Sequence, residues 1–406
     1  MKYFVLFLTI LCYSSIHSQT TILFDASKAQ MCGNADWIID ADNHTIGTSS
    51  NGSMVVGSGN ESNPQRYPTP SYTQITSNTP ETFWDGALSA WAIDLVKLGY
   101  RVETLPVSGQ ITYGNANNPQ DLSNYKVFIS VEPNIRFSLS EKQAIIKFVE
   151  NGGGLFMIAD HTISDRNFDG WDSPMIWNSL ADTNGLQNNP FGIHFDYQNY
   201  SETTTALANL PTDSCLHNSA VGNVSQLKIS GGTTMTVNPS VNSTVRGLIY
   251  RSGSNTTGNT NIYLARSNYV NGRVAALGDS SPPDDGTGDL NDNLYFSYTG
   301  EANGSHRIML LNTTIWLLSG HQGGNQTSVE ENKEASSKLM VQQENGFGFR
   351  VFGIMGKVGY RLISINGQVK WEGKLGNGDF METGNMVRGM YVLIGEDGSW
   401  LKVVIP

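Results

Sequence analysis

The chain has 406 residues, room for two or three domains of about 150 residues each. Hydrophobic residues make up 39% and aromatics 10%, enough for a sizeable core, which excludes a disordered chain. The 25 basic against 36 acidic residues leave a net charge of −11, which argues against a nucleic-acid or anionic-membrane binder.

Residues 1–19 read MKYFVLFLTILCYSSIHSQ. Lys2 precedes an apolar run from Tyr3 to Leu11, and small or polar residues follow, the order of a secretory signal peptide cleaved near Ser18 or Gln19. The run is too short to span a bilayer. A lipid anchor on Cys12 competes with this reading, but bulky Leu11 before the thiol argues against it. No later apolar run reaches about 18 residues, so a secreted or cell-surface protein without stable membrane insertion is expected. The mature chain keeps Cys32 and Cys215, which form either one disulfide or two independent buried thiols. Without a CxxC they make neither a zinc site nor a redox pair.

A first strand is predicted at Thr21–Asp25, followed by a Ser/Thr/Asn/Gly/Pro-rich loop over 43–80. Leu88, Trp91, Ala92, Leu95 and Leu98 fall on one helical face and predict a helix over 81–99, ended by Gly99. A strand at Arg101–Leu105 and a buried strand in YKVFISVEP (125–133) follow. Helix 139–151 opens on a capping box, Ser138 with Glu141, and stops at Gly152–Gly154. GLFMIAD (154–160) is a further buried strand, and Ser173-Pro174 opens a helix. Strands alternating with helices imply a parallel sheet covered on both faces. Residues 186–260 read as an insertion or antiparallel extension. The α/β rhythm returns with strands at 261–267 and 273–279 and a helix near 305–319.

The polar stretch 321–345 reads as a linker, and 346–406 as a small all-β sandwich. There seven Lys/Arg face five Asp/Glu, and Asn366-Gly367, Asn377-Gly378 and Asp397-Gly398 mark turns between alternating strands. Gly367-Gln368-Val369, Arg388-Gly389-Met390-Tyr391-Val392-Leu393 and Lys402-Val403-Val404 resemble the C-terminal sorting domains of type IX secretion cargo. That resemblance implies a partnership with the secretion machinery, not catalysis.

In an open α/β sheet, ligands bind beyond the carboxyl ends of the strands. Here those ends are acidic: Asp25, Asp160 with His161 beside it, and Asp279. Two acid-rich loops, 160–172 and 279–292, hold nine of the 36 acids in 27 residues. Crowding raises carboxylate pKa values unless a cation offsets the repulsion. Asp165-x-Asn167-x-Asp169-Gly170 matches the start of an EF-hand calcium loop. Position 12 would be Ile176, so Asp172 or a distant residue must complete the shell. Ca²⁺ is the expected cation, Mg²⁺ the second; the competing reading is an Asx-turn-rich surface loop. Asp160, His161, Asp279 and His306 are the candidate catalytic residues, and Asp25, Asp36, Asp284 and Asp285 the candidate substrate-binding ones. Asp40 and Glu132 share the topological position without a motif; Trp37 reads as core, and Ser280-Ser281 as turn.

TILFDASKAQMCGNADWIID, KLGYRVETLP, EKQAIIKFVENGGGLFMIADH and RVAALGDSSPPDDGTGD resemble the class I glutamine amidotransferase-like superfamily. Within it, they sit nearest the secreted branch of trehalose-utilisation-like and DUF4350-like domains. The resemblance covers most of 20–320 and implies a flavodoxin-like α/β fold, a mostly parallel sheet with helices on both faces. True glutaminases of the superfamily carry a nucleophilic Cys on a sharp strand-to-helix turn. The nearest position here is Asp160-His161, so glutaminase activity is not expected. The combined expectation is a secreted calcium-binding hydrolase acting on an extracellular carbohydrate. The alternative is a non-catalytic binding module with a structural calcium loop.

Overall fold

The computed structural model describes residues 20–32, 34–40, 47–48, 54–55, 65–288 and 294–320. Towards the C-terminus it describes 340–344, 348–352, 357–364, 368–376, 379–383, 386, 389–396 and 400–405. The signal-like segment, Asp289, Asp292 and the three Asx-Gly turns lie outside the described residues. The chain divides into two units, Met1–Gly323 and Gly324–Pro406.

The first unit begins with β1 (Thr21–Asp25), α1 (Ser89–Lys97), β2 (Arg101–Leu105) and β3 (Val127–Val131). Next come α2 (Leu139–Glu150), β4 (Gly154–Ile158) and α3 (Ser173–Asp182). The short strands that follow include β5 (Ile193–Phe195), β6 (Tyr200–Thr204), β7 (Leu227–Gly232), β8 (Met235–Val237) and β9 (Arg246–Tyr250). It ends on β10 (Ile262–Tyr269), β11 (Gly272–Leu277) and α4 (His306–Ser319). The main sheet is ordered β2-β1-β3-β4-β11-β10-β8-β5, with β9 also on β10. Strands β2 to β11 of that order are parallel. The order is that of a flavodoxin-like sheet, reversing between β1 and β3.

Side chains alternate across the sheet, and each face closes a separate core. Phe24, Ile129, Phe156 and Leu277 pack with α1 and α4; Leu23, Phe128, Leu155 and Ala276 pack with α2 and α3. Trp91 of α1 sits edge-on to Phe24 and Phe156, with ring centroids 5.3 and 5.8 Å away. The capping box of α2 forms as expected, Ser138 and Glu141 each bonding the other's backbone N–H.

Two expectations are corrected. The helix predicted over 81–99 is a 3₁₀ turn at Glu81–Phe83 and an α-helix only from Ser89. The N–H groups of Gly86, Ala87 and Leu88 bond the carbonyls of Ile39, Asp36 and Ile38, so they are not available to the interior of a helix begun at 81. Gly86 permits this approach, since a Cβ there would lie 2.2 Å from the Ile38 oxygen. The strand at 261–267 does not resume the parallel rhythm: β10 is antiparallel to β11. Only Val270 and Asn271 join them, too short a link for a crossover.

The second unit has one three-stranded and one four-stranded antiparallel sheet. The first holds β12 (Met340–Glu344), β13 (Gly348–Phe352) and β16 (Phe380–Glu382). The second holds β14 (Val358–Ser364), β15 (Val369–Leu375), β17 (Gly389–Gly395) and β18 (Trp400–Ile405). Val351 and Met381 from one sheet share a core with Leu362 and Leu393 from the other, a small sandwich. The stretch 321–345 is therefore not all linker, because 340–344 is a strand paired with β13.

Candidate active site

Glu132 follows the last residue of β3 and is fully buried, with a left-handed φ of 46°. Its carboxylate gathers the groups around it. Ser164 Oγ and Arg166 Nε donate to Oε1 at 2.8 and 2.6 Å. Trp37 Nε1 and Ser280 Oγ donate to Oε2 at 2.5 and 2.7 Å. Burial by itself raises a carboxyl pKa, but Arg166 and the hydroxyl donors outweigh it and hold Glu132 below its ordinary value.

Asp160 closes the next strand end, its side chain 6% exposed and 3.6 Å from Arg166 Nη2. Here burial wins. Reinforced by the charges of Glu132 and Asp279, it holds Asp160 well above the ordinary Asp range, against the pull of Arg166. Asp279, beyond β11, accepts N–H bonds from Ser230 at 2.7 Å and Ser281 at 2.8 Å. Burial still pushes its carboxyl up to about 6. Glu132 and Asp160 thus share one guanidinium, with Asp279 as a further nearby charge, and the proton affinities separate.

His161 is the accessible member, its side chain 25% exposed. Its Nδ1 lies 2.6 Å from the Thr162 carbonyl, which can only accept, so Nδ1 carries the hydrogen. In the neutral ring the lone pair is then on Nε2, 3.8 Å from Asp160 Oδ2. Gly231, at φ 79°, lets β7 come up against the ring; a Cβ there would lie 3.3 Å from His161 Cδ2.

The structure thus unites Asp160, His161 and Asp279 and keeps other predicted residues apart from them. His306 is buried with Nδ1 3.0 Å from the Ser297 carbonyl and Nε2 2.9 Å from that of Lys228, a brace between α4 and β7. Asp25 is held by Ser27, Gln30 and Ser130 inside the β1–β3 crevice. Asp36 is buried, its carbonyl accepting from Ile38 and Ala87. Asp284 accepts from the N–H groups of Gly286 and Tyr295, and Asp285 from those of Ala90 and Thr287. Asp284 and Asp285 therefore pin their loop rather than face a ligand.

The calcium-like loop is folded on its own backbone. Asp165 accepts from Asp169 N and Gly170 N, Asn167 from Asp169 N, and Asp169 from Trp171 N. Asp172 caps α3 through Met175 N and also takes Ile163 N. Among the described residues, no group of three or more His, Cys, Asp or Glu side chains is arranged to hold a metal. Cys32 and Cys215 are two separate buried thiols in different cores.

Sequence reasoning passed over the residues that make Glu132 a hub. Trp37 looked like core and Ser280 like a turn, yet both donate to it. Arg166 was visible only as the lone base in an acidic loop, and that isolation was the available signal.

No protein-family model and no curated protein matches the chain. Among solved structures it is similar to the mmIFT52 N-terminal domain, at 14% identity and a TM-score of 0.41, over 73% of this chain and 97% of that one. It is similar to the cytoplasmic protein STM3548 from Salmonella typhimurium at 12% identity and 0.34, over 73% and 98%. Gan42B, a GH42 beta-galactosidase, gives 14% and 0.26, over 70% and 33%. Overlaps this low support no inference about function.

Proposed function

We propose that the first unit is a hydrolase, amidotransferase-like in fold, with an acid–base centre at the carboxyl ends of β3, β4 and β11. One observation carries the reading: around Arg166, Glu132 is driven below its ordinary proton affinity and Asp160 well above it. Pairs of acids pushed apart in this way divide the roles of proton donor and fixed charge. Asp160 delivers its proton to the leaving oxygen. His161 Nε2 takes a proton from the water that attacks the substrate. Glu132 remains charged and orients Arg166, and Asp279 adds the negative field that keeps Asp160 protonated. In the same reading the chain is exported, acts on an extracellular carbohydrate, and engages the secretion machinery through its C-terminal sandwich. No helix among the described residues is long and apolar enough to cross a membrane, which is compatible with export.

The test is turnover of 4-nitrophenyl glycosides and neutral oligosaccharides by the full chain. Asp160→Asn and His161→Ala should each lose roughly 10²-fold or more in kcat while the unfolding temperature holds. Wild-type turnover in both variants would sink the acid–base assignment.

The second reading is a binding module stiffened by calcium, favoured by the four oxygen-bearing side chains of Asp165, Asn167, Asp169 and Asp172 within eight residues. In it, calcium draws those oxygens off the loop's N–H groups. Calcium after EDTA then raises the unfolding temperature of the wild type but not of the Asp165→Ala/Asp169→Ala variant.

A further inference from the structure

The guanidinium of Arg166 is held from several directions at once. Its Nε and Nη2 donate to the two oxygens of Glu132 at 2.6 and 3.3 Å. Its Nη1 donates to Asn34 Oδ1, and its plane lies 5.9 Å over the Trp37 ring. Nη2 also stands 3.6 Å from Asp160 Oδ2. Two of these contacts come from one short segment, residues 34–37. Trp37 touches both halves of the ion pair, because its Nε1 donates to Glu132 Oε2.

A buried indole needs an acceptor for its N–H, and a backbone carbonyl serves. Trp84 and Trp177 are satisfied in that way, by Pro70 and Ile158. Trp37 is 1% exposed and gives its N–H instead to a carboxylate that Ser164, Arg166 and Ser280 already bond. Its backbone is fixed as firmly. Trp37 N donates to Gln30 O, and the carbonyls of Asp36, Ile38 and Ile39 take the N–H groups of Ala87, Leu88 and Gly86. The Ala87 and Gly86 carbonyls are held in turn by Asp285 N and Thr287 Oγ1, in the loop whose Ser280 reaches Glu132. The indole is therefore a braced donor aimed at one oxygen of the pair.

We propose that Trp37 is a positioning residue: its N–H and its ring hold Glu132 and Arg166 as one charged pair, which leaves the proton of the site on Asp160. The assignment rests on the acid–base reading and adds what fixes its division of roles. The charged and titratable groups facing Glu132 are Arg166, which favours its charge, and Asp160 and Asp279, which oppose it. His161 stands beside Asp160. Without the indole N–H, Glu132 loses one of the donors that offset its burial, and it competes with Asp160 for the proton.

Trp37→Phe keeps a ring beneath Arg166 and removes the donor; Trp37→Leu removes both. Carbon-13 NMR of the full chain, labelled at the Glu side-chain carboxyls, follows Glu132 as the signal lost in Glu132→Gln. In Trp37→Phe that carboxyl should titrate about one pH unit or more above its wild-type position, and in Trp37→Leu higher still. In the wild type, with no change at Trp37, one indole N–H proton should resonate downfield of the others and move upfield in Glu132→Gln. If Glu132 titrates no higher in Trp37→Phe, whatever the unfolding temperature does, Trp37 is plain core and the assignment is overturned. An indole spectrum that Glu132→Gln leaves unchanged overturns it as well. If the titration shifts as stated and the wild type turns over no glycoside, the hydrolase reading fails and the positioning role stands. If glycosides are turned over and Trp37→Phe titrates as the wild type does, the positioning role alone fails.

Discussion

The two acidic loops of the first unit look alike in composition and are used in opposite ways. In the loop after β11, the carboxylates of Asp279, Asp284 and Asp285 are buried and each accepts backbone N–H groups. In the loop after β4, Asp165 and Asp169 shape an exposed turn, while Asp160 and Arg166 reach the crevice. The first uses charge to fasten elements together; the second uses it to build an edge around a proton-bearing group. Acid density alone does not separate the two. What separates them is the source of the donors: in one case Ser230 and Ala90 from distant elements join the loop's own N–H groups, in the other the turn at 165–171 supplies its own.

The largest expected effect breaks the hub. Glu132→Ala leaves Arg166 without its buried partner and should cost about 3–5 kcal/mol in urea unfolding. A loss below about 1 kcal/mol would remove Glu132 from the centre of the comparison. Next is pH. Asp279 and Asp285 are both raised to about 6 by burial, so the folded chain binds more protons than the unfolded chain between about pH 4 and 6. Stability should therefore fall as pH rises through that window, by about 3 kcal/mol for each group. Glu132, lowered, has the opposite sign: its contribution is lost as pH falls through its folded value. An Asp279→Asn/Asp285→Asn variant that keeps the wild-type decline between pH 4 and 6 would refute the assignment. A smaller effect sharpens the contrast: Asp172→Ala removes the α3 cap and the Ile163 N–H bond and should cost about 1–2 kcal/mol.

The fold was largely legible because its strands are apolar runs and its α2 start is a capping box, both local signals. The α1 start was not, because Gly86–Leu88 bond residues 36–39, a tertiary preference no periodicity records. Of the site, Asp160, His161 and Asp279 could be found from strand ends. Glu132 also stands at a strand end, but its role could not be read there, since it depends on Trp37, Ser164, Arg166 and Ser280 converging from three separate segments. His306 misled for the converse reason. A histidine at a helix start has the same appearance in sequence whether its nitrogens meet a ligand or two backbone carbonyls.

The bond from the Ala90 N–H to Asp285 joins residues 195 apart. The position before α1 is Leu88, which supplies no side-chain cap, so the first turn of this helix is completed by a residue made much later. At about 5–20 residues per second, a ribosome takes roughly 10–40 s to cover that interval. Through that time α1 lacks its cap, and β11 is absent beside β4. The N-terminal half of the sheet thus takes its last neighbouring parallel strand, and α1 its first-turn acceptor, from the far end of the unit.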